Sequence, residues 1–597
     1  MNGDRNVNRS LCIAVVFILS GWISETSGQQ IQKYWIYFTD KEIPVAMLQK
    51  NTLDRREIET YISANAVRRR QKVLPQNLLI DERDLPVNAR YVDELESLGI
   101  RPSNTLRWFN AITAYLTEDQ CRRLSRVPFV RSIVPVRTLN RRLEPFQEST
   151  GFSSTESLHT MAAMDHGAAA PQLTAVNIIP VHRAGVRGQN ITIGILDTGF
   201  RWKTNTGLGN AQVLAEYDFI FKDSVTANES QDASDQENHG TAVFSIIGAN
   251  LDGTYIGAAP DASFILAKTE DIRSESKVEE DNWVAAIEWM EGLGVDIVSC
   301  SLGYGDFDPT GSGPEDYIWA KGDFDGRTTI AAQAALLAAR RGVVVVTCMG
   351  NENNGDGIIG TLITPADADS VISVGAVGYI GSQSGVLASF SSTGPTNDGR
   401  IKPDVVAPGV GVAVITPGGS VMTGNGTSYS TPITAGVAAL VLSANPGLTP
   451  IQVREALRNT ASNASEPDNF IGWGRINAFA AANYFDSTRV VPPSVTDFTL
   501  LQNYPNPFSA GSGSAVGGNG TTTVRYDVPE ESHITLTITS VLGERVRVLV
   551  DGRYAGNSYT VEWDGKNSNG LQLPSGVYFI TLSAPQYTST KKIILLR

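Results

Sequence analysis

Five short runs of apolar, mostly β-branched residues recur at 191–196, 263–267, 297–300, 343–347 and 371–374, separated by stretches long enough for helices. Strands that are apolar throughout must be covered on both faces. A parallel sheet flanked by helices is the usual way to do this. The pattern therefore predicts an α/β fold, a parallel sheet sandwiched by helices. Ligands of such sheets bind beyond the carboxyl ends of the strands. Asp197, Ser301 and Asn351 each follow such an end.

Three glycine-containing segments supply reactive groups: I-L-D-T-G at 195–199, H-G-T-A-V at 239–243 and G-T-S-Y-S-T-P at 426–432. An alcohol is a poor nucleophile until an imidazole takes its proton, and the imidazole needs a carboxylate to fix its tautomer. Taken singly, each residue has a plainer reading. Ser428 could be an N-cap, Asp197 a turn cap, Asn351 a turn residue and His239 a structural histidine. The chain has five histidines, and only His239 precedes Gly-Thr and a small-residue helix. His159 and His166 fall in a linker, His182 reads as a surface residue, and His533 lies in a C-terminal strand.

The order Asp, His, Ser is that of subtilisin. The chain resembles the subtilisin-like serine peptidases (subtilases) in further segments: V-D-I-V-S-C-S-L-G at 295–303, V-V-V-V-T-C-M-G-N-E at 343–352, G-A-A-P-D-A at 257–262, K-P-D-V-V-A-P-G at 402–409 and G-W-G-R-I-N-A at 472–478. The resemblance spans residues 172–485 and implies a catalytic triad of Asp197, His239 and Ser428. It implies that Asn351 donates to the oxyanion and that Ser301, Leu302, Gly303 and Gly350 flank an extended peptide substrate. Ile363 stands where relatives keep a glycine at the floor of the specificity pocket, which implies a preference for small or medium apolar side chains. The 42-residue interval from Asp197 to His239 is long for the family, so residues 204–236 are expected to hold a surface insertion. Relatives often hold structural calcium, but the loop at 249–255 departs from their calcium loop. No metal ligand is assigned and no cofactor is required.

The remaining chain divides around this unit. Residues 1–28 have the basic, apolar and small-residue layout of a secretory signal peptide, and no other apolar run is long enough for a transmembrane segment in the mature protein. Residues 29–145 read as a compact α+β unit with strands at 34–38, 111–116 and 130–136 and a basic helix at 54–71. A capping box at Thr117–Gln120 opens a further helix, and Arg141-Arg142 follow the last strand. The unit resembles the inhibitory propeptide of secreted subtilases; a permanent accessory domain is the alternative. Residues 149–171, rich in Ser, Ala, Gly and Met, read as a linker or N-terminal arm. Residues 495–597 predict an immunoglobulin-like β-sandwich of six or seven short strands. With L-Q-N-Y-P-N-P-F at 501–508 and the terminal K-K-I-I-L-L-R, they resemble the C-terminal sorting domain of type IX secretion.

These features imply an exported serine endopeptidase made as a zymogen, secreted or held at the cell surface via the periplasm and outer membrane. Its partners would be protein or peptide substrates, its own propeptide as inhibitor and the type IX secretion machinery. A net charge of −14 argues against nucleic acid, which wants a basic surface. Four cysteines do not make a disulfide framework. Cys300 and Cys348 read as buried free thiols, with a disulfide as the alternative. The competing functional reading is a catalytically silent adhesin or binding protein on the subtilase scaffold.

Overall fold

The computed structural model describes residues 31–42, 62–136, 165–273, 280–305, 321–353, 359–490, 497–503, 506–509 and 520–596. The leader, Arg141-Arg142, most of the linker and residues 54–61 of the expected basic helix lie outside them.

The N-terminal unit is an antiparallel sheet with β1 (Gln32–Phe38) at its centre. Its helices are α1 (Ala64–Arg70), α2 (Ala89–Ser97) and α3 (Glu118–Leu124). The other strands are β2 (Asn104–Leu106), β3 (Ala111–Leu116) and β4 (Val130–Pro135), in the order β2-β3-β1-β4. The capping box forms: Thr117 Oγ1 accepts from the Gln120 N–H at 3.2 Å, and Gln120 Oε1 accepts from the Thr117 N–H at 2.8 Å. Alternation along β1 sends Ile36 and Phe38 into this unit's own core with Tyr91, Leu95 and Leu124. Trp35 faces the other way, into a core shared with the central unit.

The central unit is a seven-stranded, wholly parallel sheet. Its strands are β5 (Thr192–Asp197), β6 (Gln212–Asp218), β7 (Ser263–Lys268), β8 (Ile297–Cys300), β9 (Val344–Cys348), β10 (Ile372–Val377) and β11 (Val405–Pro408). Their order is β11-β10-β9-β8-β5-β7-β6. One face packs Ile193, Ile195, Val344 and Val346 against α4 (Asn238–Gly248) and α7 (Thr427–Ala444). The other packs Leu196, Val298 and Val345 against α5 (Glu280–Leu293) and α6 (Ile330–Arg340). This is the predicted α/β sandwich.

The structure bears on three further expectations. Within residues 204–236, β6 is the edge strand of the main sheet. His166 and His182 are neither linker nor surface residues but 3% exposed each. His182 Nε2 donates to the Ala258 carbonyl at 2.9 Å and its Nδ1 accepts from His166 Nε2 at 3.0 Å, and burial lowers the His182 pKa to about 4. Cys300 and Cys348 are buried free thiols, so the disulfide alternative does not hold.

The C-terminal unit is a β-sandwich. A three-stranded sheet (Thr499–Leu500, Thr522–Val528, Asn557–Trp563) lies against a five-stranded one built on Ser532–Ser540 and Gly576–Ala584. Trp563, Ile538 and Ile580 are in its core. Arg183 of the central unit pairs with Asp527 at 3.1 Å. No helix among the described residues is long and apolar enough to cross a membrane.

Candidate active site

β5 ends on Asp197, whose carboxylate is fully buried. Its Oδ1 accepts from the Thr198 N–H at 2.8 Å and from His239 Nδ1 at 2.7 Å. A carboxylate only accepts, so in the neutral imidazole Nδ1 carries the hydrogen and Nε2 the lone pair. His239 is the second residue of α4, and Gly240 lets that helix approach closely. A Cβ at Gly240 would lie 2.2 Å from the Gly199 carbonyl oxygen. The imidazole is 12% exposed, so one edge reaches the surface.

The second half of the site is the start of α7. The first amides of a helix have no partner within it. Asn351, just past β9, supplies one: its Oδ1 accepts from the Thr427 N–H and from Thr427 Oγ1, both at 3.0 Å. The amide of Asn351 is thereby oriented, and among the described residues its Nδ2 makes no hydrogen bond. A Cβ at Gly426 would sit 3.6 Å from Asn351 Nδ2 and 3.7 Å from the Ser428 backbone nitrogen. The empty space beside Gly426 is thus bordered by two N–H donors.

Ser428 is 6% exposed. Its hydroxyl donates to the Ser301 carbonyl at 3.1 Å, not to His239. Ser301 Oγ in turn donates to the Ser428 carbonyl at 2.8 Å. Pro432 explains the opening, because it has no N–H for the carbonyl four residues before it, which is that of Ser428. The ring of Tyr429 lies 6.0 Å from the His239 ring. This tyrosine lies inside the G-T-S-Y segment, where nothing in the motif alone marks it as a neighbour of His239.

The residues expected to line the substrate fall on two neighbouring segments. Ser301 and Leu302 have buried side chains, so only their backbone is available to a ligand. Among the described residues Gly303 makes no hydrogen bond, which leaves its amide and carbonyl for an incoming strand. Ile363 lies between the segments. Its side-chain carbons sit 2.4 and 2.6 Å from where a Gly303 Cβ would be and 3.1 Å from that of Gly350. Both glycines make room for it.

Asp218, Asp223 and Glu229 are the one group among the described residues whose ligand atoms lie close enough to hold a metal. Lys268 Nζ is 2.9 Å from Asp218 Oδ2 and 2.8 Å from Asp232, so an ammonium already supplies positive charge there.

Each of the three units matches a known family. Residues 188–474 match the subtilase family, residues 33–150 the peptidase S8 propeptide domain of Bacteroidota, and residues 512–587 the FlgD Ig-like domain. Subtilisin DY of Bacillus licheniformis is 34% identical over 304 residues, 51% of this chain and 94% of its own. Subtilisin E of Bacillus subtilis is 28% identical over 398 residues, 66% of this chain and 86% of its own. Serine protease AprX of Bacillus subtilis is 29% identical over 319 residues, 49% of this chain and 66% of its own.

Proposed function

Since this chain belongs to the subtilase family and is a subtilisin-like serine endopeptidase made as a zymogen, we propose that Ser428, His239 and Asp197 are its triad. The observation that carries the reading is the 2.7 Å bond from His239 Nδ1 to a fully buried Asp197. It leaves Nε2 as the base. In the reaction the Ser428 hydroxyl turns away from the Ser301 carbonyl, gives its proton to His239 and attacks the substrate carbonyl carbon. The oxyanion that forms enters the space beside Gly426 and accepts from Asn351 Nδ2 and the Ser428 N–H. His239 then protonates the leaving amine, and water releases the acyl group from Ser428 by the same steps reversed. The substrate backbone pairs with Gly303 as an added strand, a form of β-augmentation.

The N-terminal unit inhibits until it is removed, and residues 1–28 direct export. Residues 495–597 act as a type IX sorting domain and take no part in the chemistry. Their motifs support this, as does the placement of their one histidine: His533 is 57% exposed, 3.4 Å from Asp551. Deletion from Pro493 onward is expected to leave a folded, active enzyme that accumulates in the periplasm of its host.

Labelling of the purified mature protein with a fluorophosphonate tests the triad. The label should attach to Ser428 and vanish in Ser428→Ala. An unlabelled but folded wild-type protein would support a catalytically silent scaffold instead.

A further inference from the structure

Arg68-Arg69-Arg70 place three cations in a row at the end of α1, yet Arg69 and Arg70 are 2% and 1% exposed. Arg70 uses all five of its N–H groups. It binds Glu291 through Nε at 2.8 Å and Nη2 at 2.7 Å, Asp84 through Nη1 at 2.8 Å and Nη2 at 2.7 Å, and the Leu79 carbonyl at 2.6 Å. Arg69 donates to the carbonyls of Arg341 at 3.0 Å, Val295 at 2.6 Å and Glu291 at 3.1 Å, and also to the Glu291 carboxylate.

The Glu291 and Arg341 carbonyls end two helices of the central unit, and that of Val295 lies between α5 and β8. Glu291 is in the last turn of α5, and Arg341 caps α6. The last carbonyls of a helix lack intrahelical donors and carry the negative end of its dipole, so a buried cation suits them. Ser63 completes the cover of α5: its N–H donates to the Gly292 carbonyl at 3.0 Å and its Oγ to the Leu293 carbonyl at 2.8 Å. From the enzyme side, Arg341 reaches back to Asp81 at 2.9 Å. The contact lies where the chain enters β8 and β9. Ser301 and Asn351 follow the other ends of those strands.

We propose that residues 62–85, through Arg69 and Arg70, form a retention latch that sets how long the cut propeptide stays on the enzyme, independently of the substrate cleft. This rests on the reading of the N-terminal unit as an inhibitor. Removing one partner of a buried, hydrogen-bonded ion pair strands the other charge, so breaking the latch is expensive. Arg69, Arg70, Asp84 and Glu291 are desolvated, so salt weakens their pairs far less than a surface pair.

The test uses the full chain, allowed to process itself, with the complex of propeptide and enzyme isolated and followed by size exclusion. Arg70→Met and Glu291→Gln should each speed propeptide release by roughly 10²-fold or more. The freed Arg70→Met enzyme should keep the wild-type kcat/KM, since Arg70 leaves with the propeptide. Release at the wild-type rate overturns the latch. If the variants fail to mature, amide exchange in the wild-type complex decides. The amides of Val67, Gln71 and Leu74, bonded to Ser63, Val67 and Arg70, should exchange no faster than the complex dissociates. Faster exchange there, with β3 still protected, overturns the proposal. Full activity of the wild-type complex before the propeptide leaves would sink the inhibitor reading alone, because retention is measured separately.

Discussion

Ser301 and Ser428 exchange hydrogen bonds: each hydroxyl donates to the other residue's carbonyl, at 2.8 and 3.1 Å. The end of β8 is thereby fastened to the start of α7, and the proposed nucleophile rests on the strand expected to carry the substrate. Ser301→Ala leaves the Ser428 carbonyl buried with neither a helix donor nor a side-chain donor. The expected cost is about 1–3 kcal/mol of stability. Because the start of α7 also positions Ser428, kcat should fall roughly tenfold or more. Thermal unfolding and steady-state kinetics on a peptide substrate check both. Unchanged stability would mean that another donor takes the carbonyl.

Asn351 does two jobs with one amide. Its Oδ1 caps Thr427, while its Nδ2 borders the space beside Gly426. Asn351→Ala should lower kcat roughly 10²–10³-fold with little change in KM, a figure borrowed from the equivalent loss in subtilisin. Thr427→Ala keeps the Nδ2 donor but removes one of the two bonds that aim it. A smaller loss is expected there, again in kcat. A KM effect in either variant would point to substrate binding instead.

Ile363 is 8% exposed and occupies the gap between Gly303 and Gly350. Ile363→Gly should open that gap and raise kcat/KM for substrates with a large aromatic side chain before the cut by roughly 10–100-fold. Substrates with alanine or valine there should gain nothing. A peptide library digested by both enzymes reads the change. An unaltered cleavage pattern would place the specificity pocket elsewhere.

The central strands are legible in sequence because burial on both faces leaves little but apolar residues in them. β6, Q-V-L-A-E-Y-D, is not, because as an edge strand it keeps polar side chains and partial exposure. The Asp197–His239 contact follows from two local motifs. The Ser301–Ser428 exchange depends on a proline four residues downstream of Ser428 and on a strand 127 positions away. His182 looks like a surface residue because the carbonyl that satisfies its buried Nε2–H belongs to Ala258, 76 positions on. The burial of Arg69 and Arg70 is illegible for the same reason, since partners of theirs lie on α5 and just beyond α6.

The propeptide contact should also respond to pH, through Glu288 on α5. Its Oε1 accepts from the Arg107 N–H at 3.0 Å and its Oε2 from the Trp108 N–H at 2.9 Å, with Arg107 Nε 3.3 Å away. Those donors, Arg107 and Lys41 favour the ionised form, but burial outweighs them and raises the carboxyl pKa from 4.5 to about 7. Once the propeptide leaves, water reaches Glu288 and its pKa returns toward the ordinary carboxylate value. Binding therefore takes up a proton between these values. The favourable contribution is fully present below about pH 4.5 and is lost as pH rises through about 7. The complex should hold its propeptide more tightly at pH 5 than at pH 8. In Glu288→Gln, which cannot ionise, release should become nearly independent of pH over that range. Release rates of the processed complex across pH 4.5 to 8 provide the measurement. A slope that survives in Glu288→Gln, or tighter retention at pH 8 in the wild type, would assign the pH response to other groups.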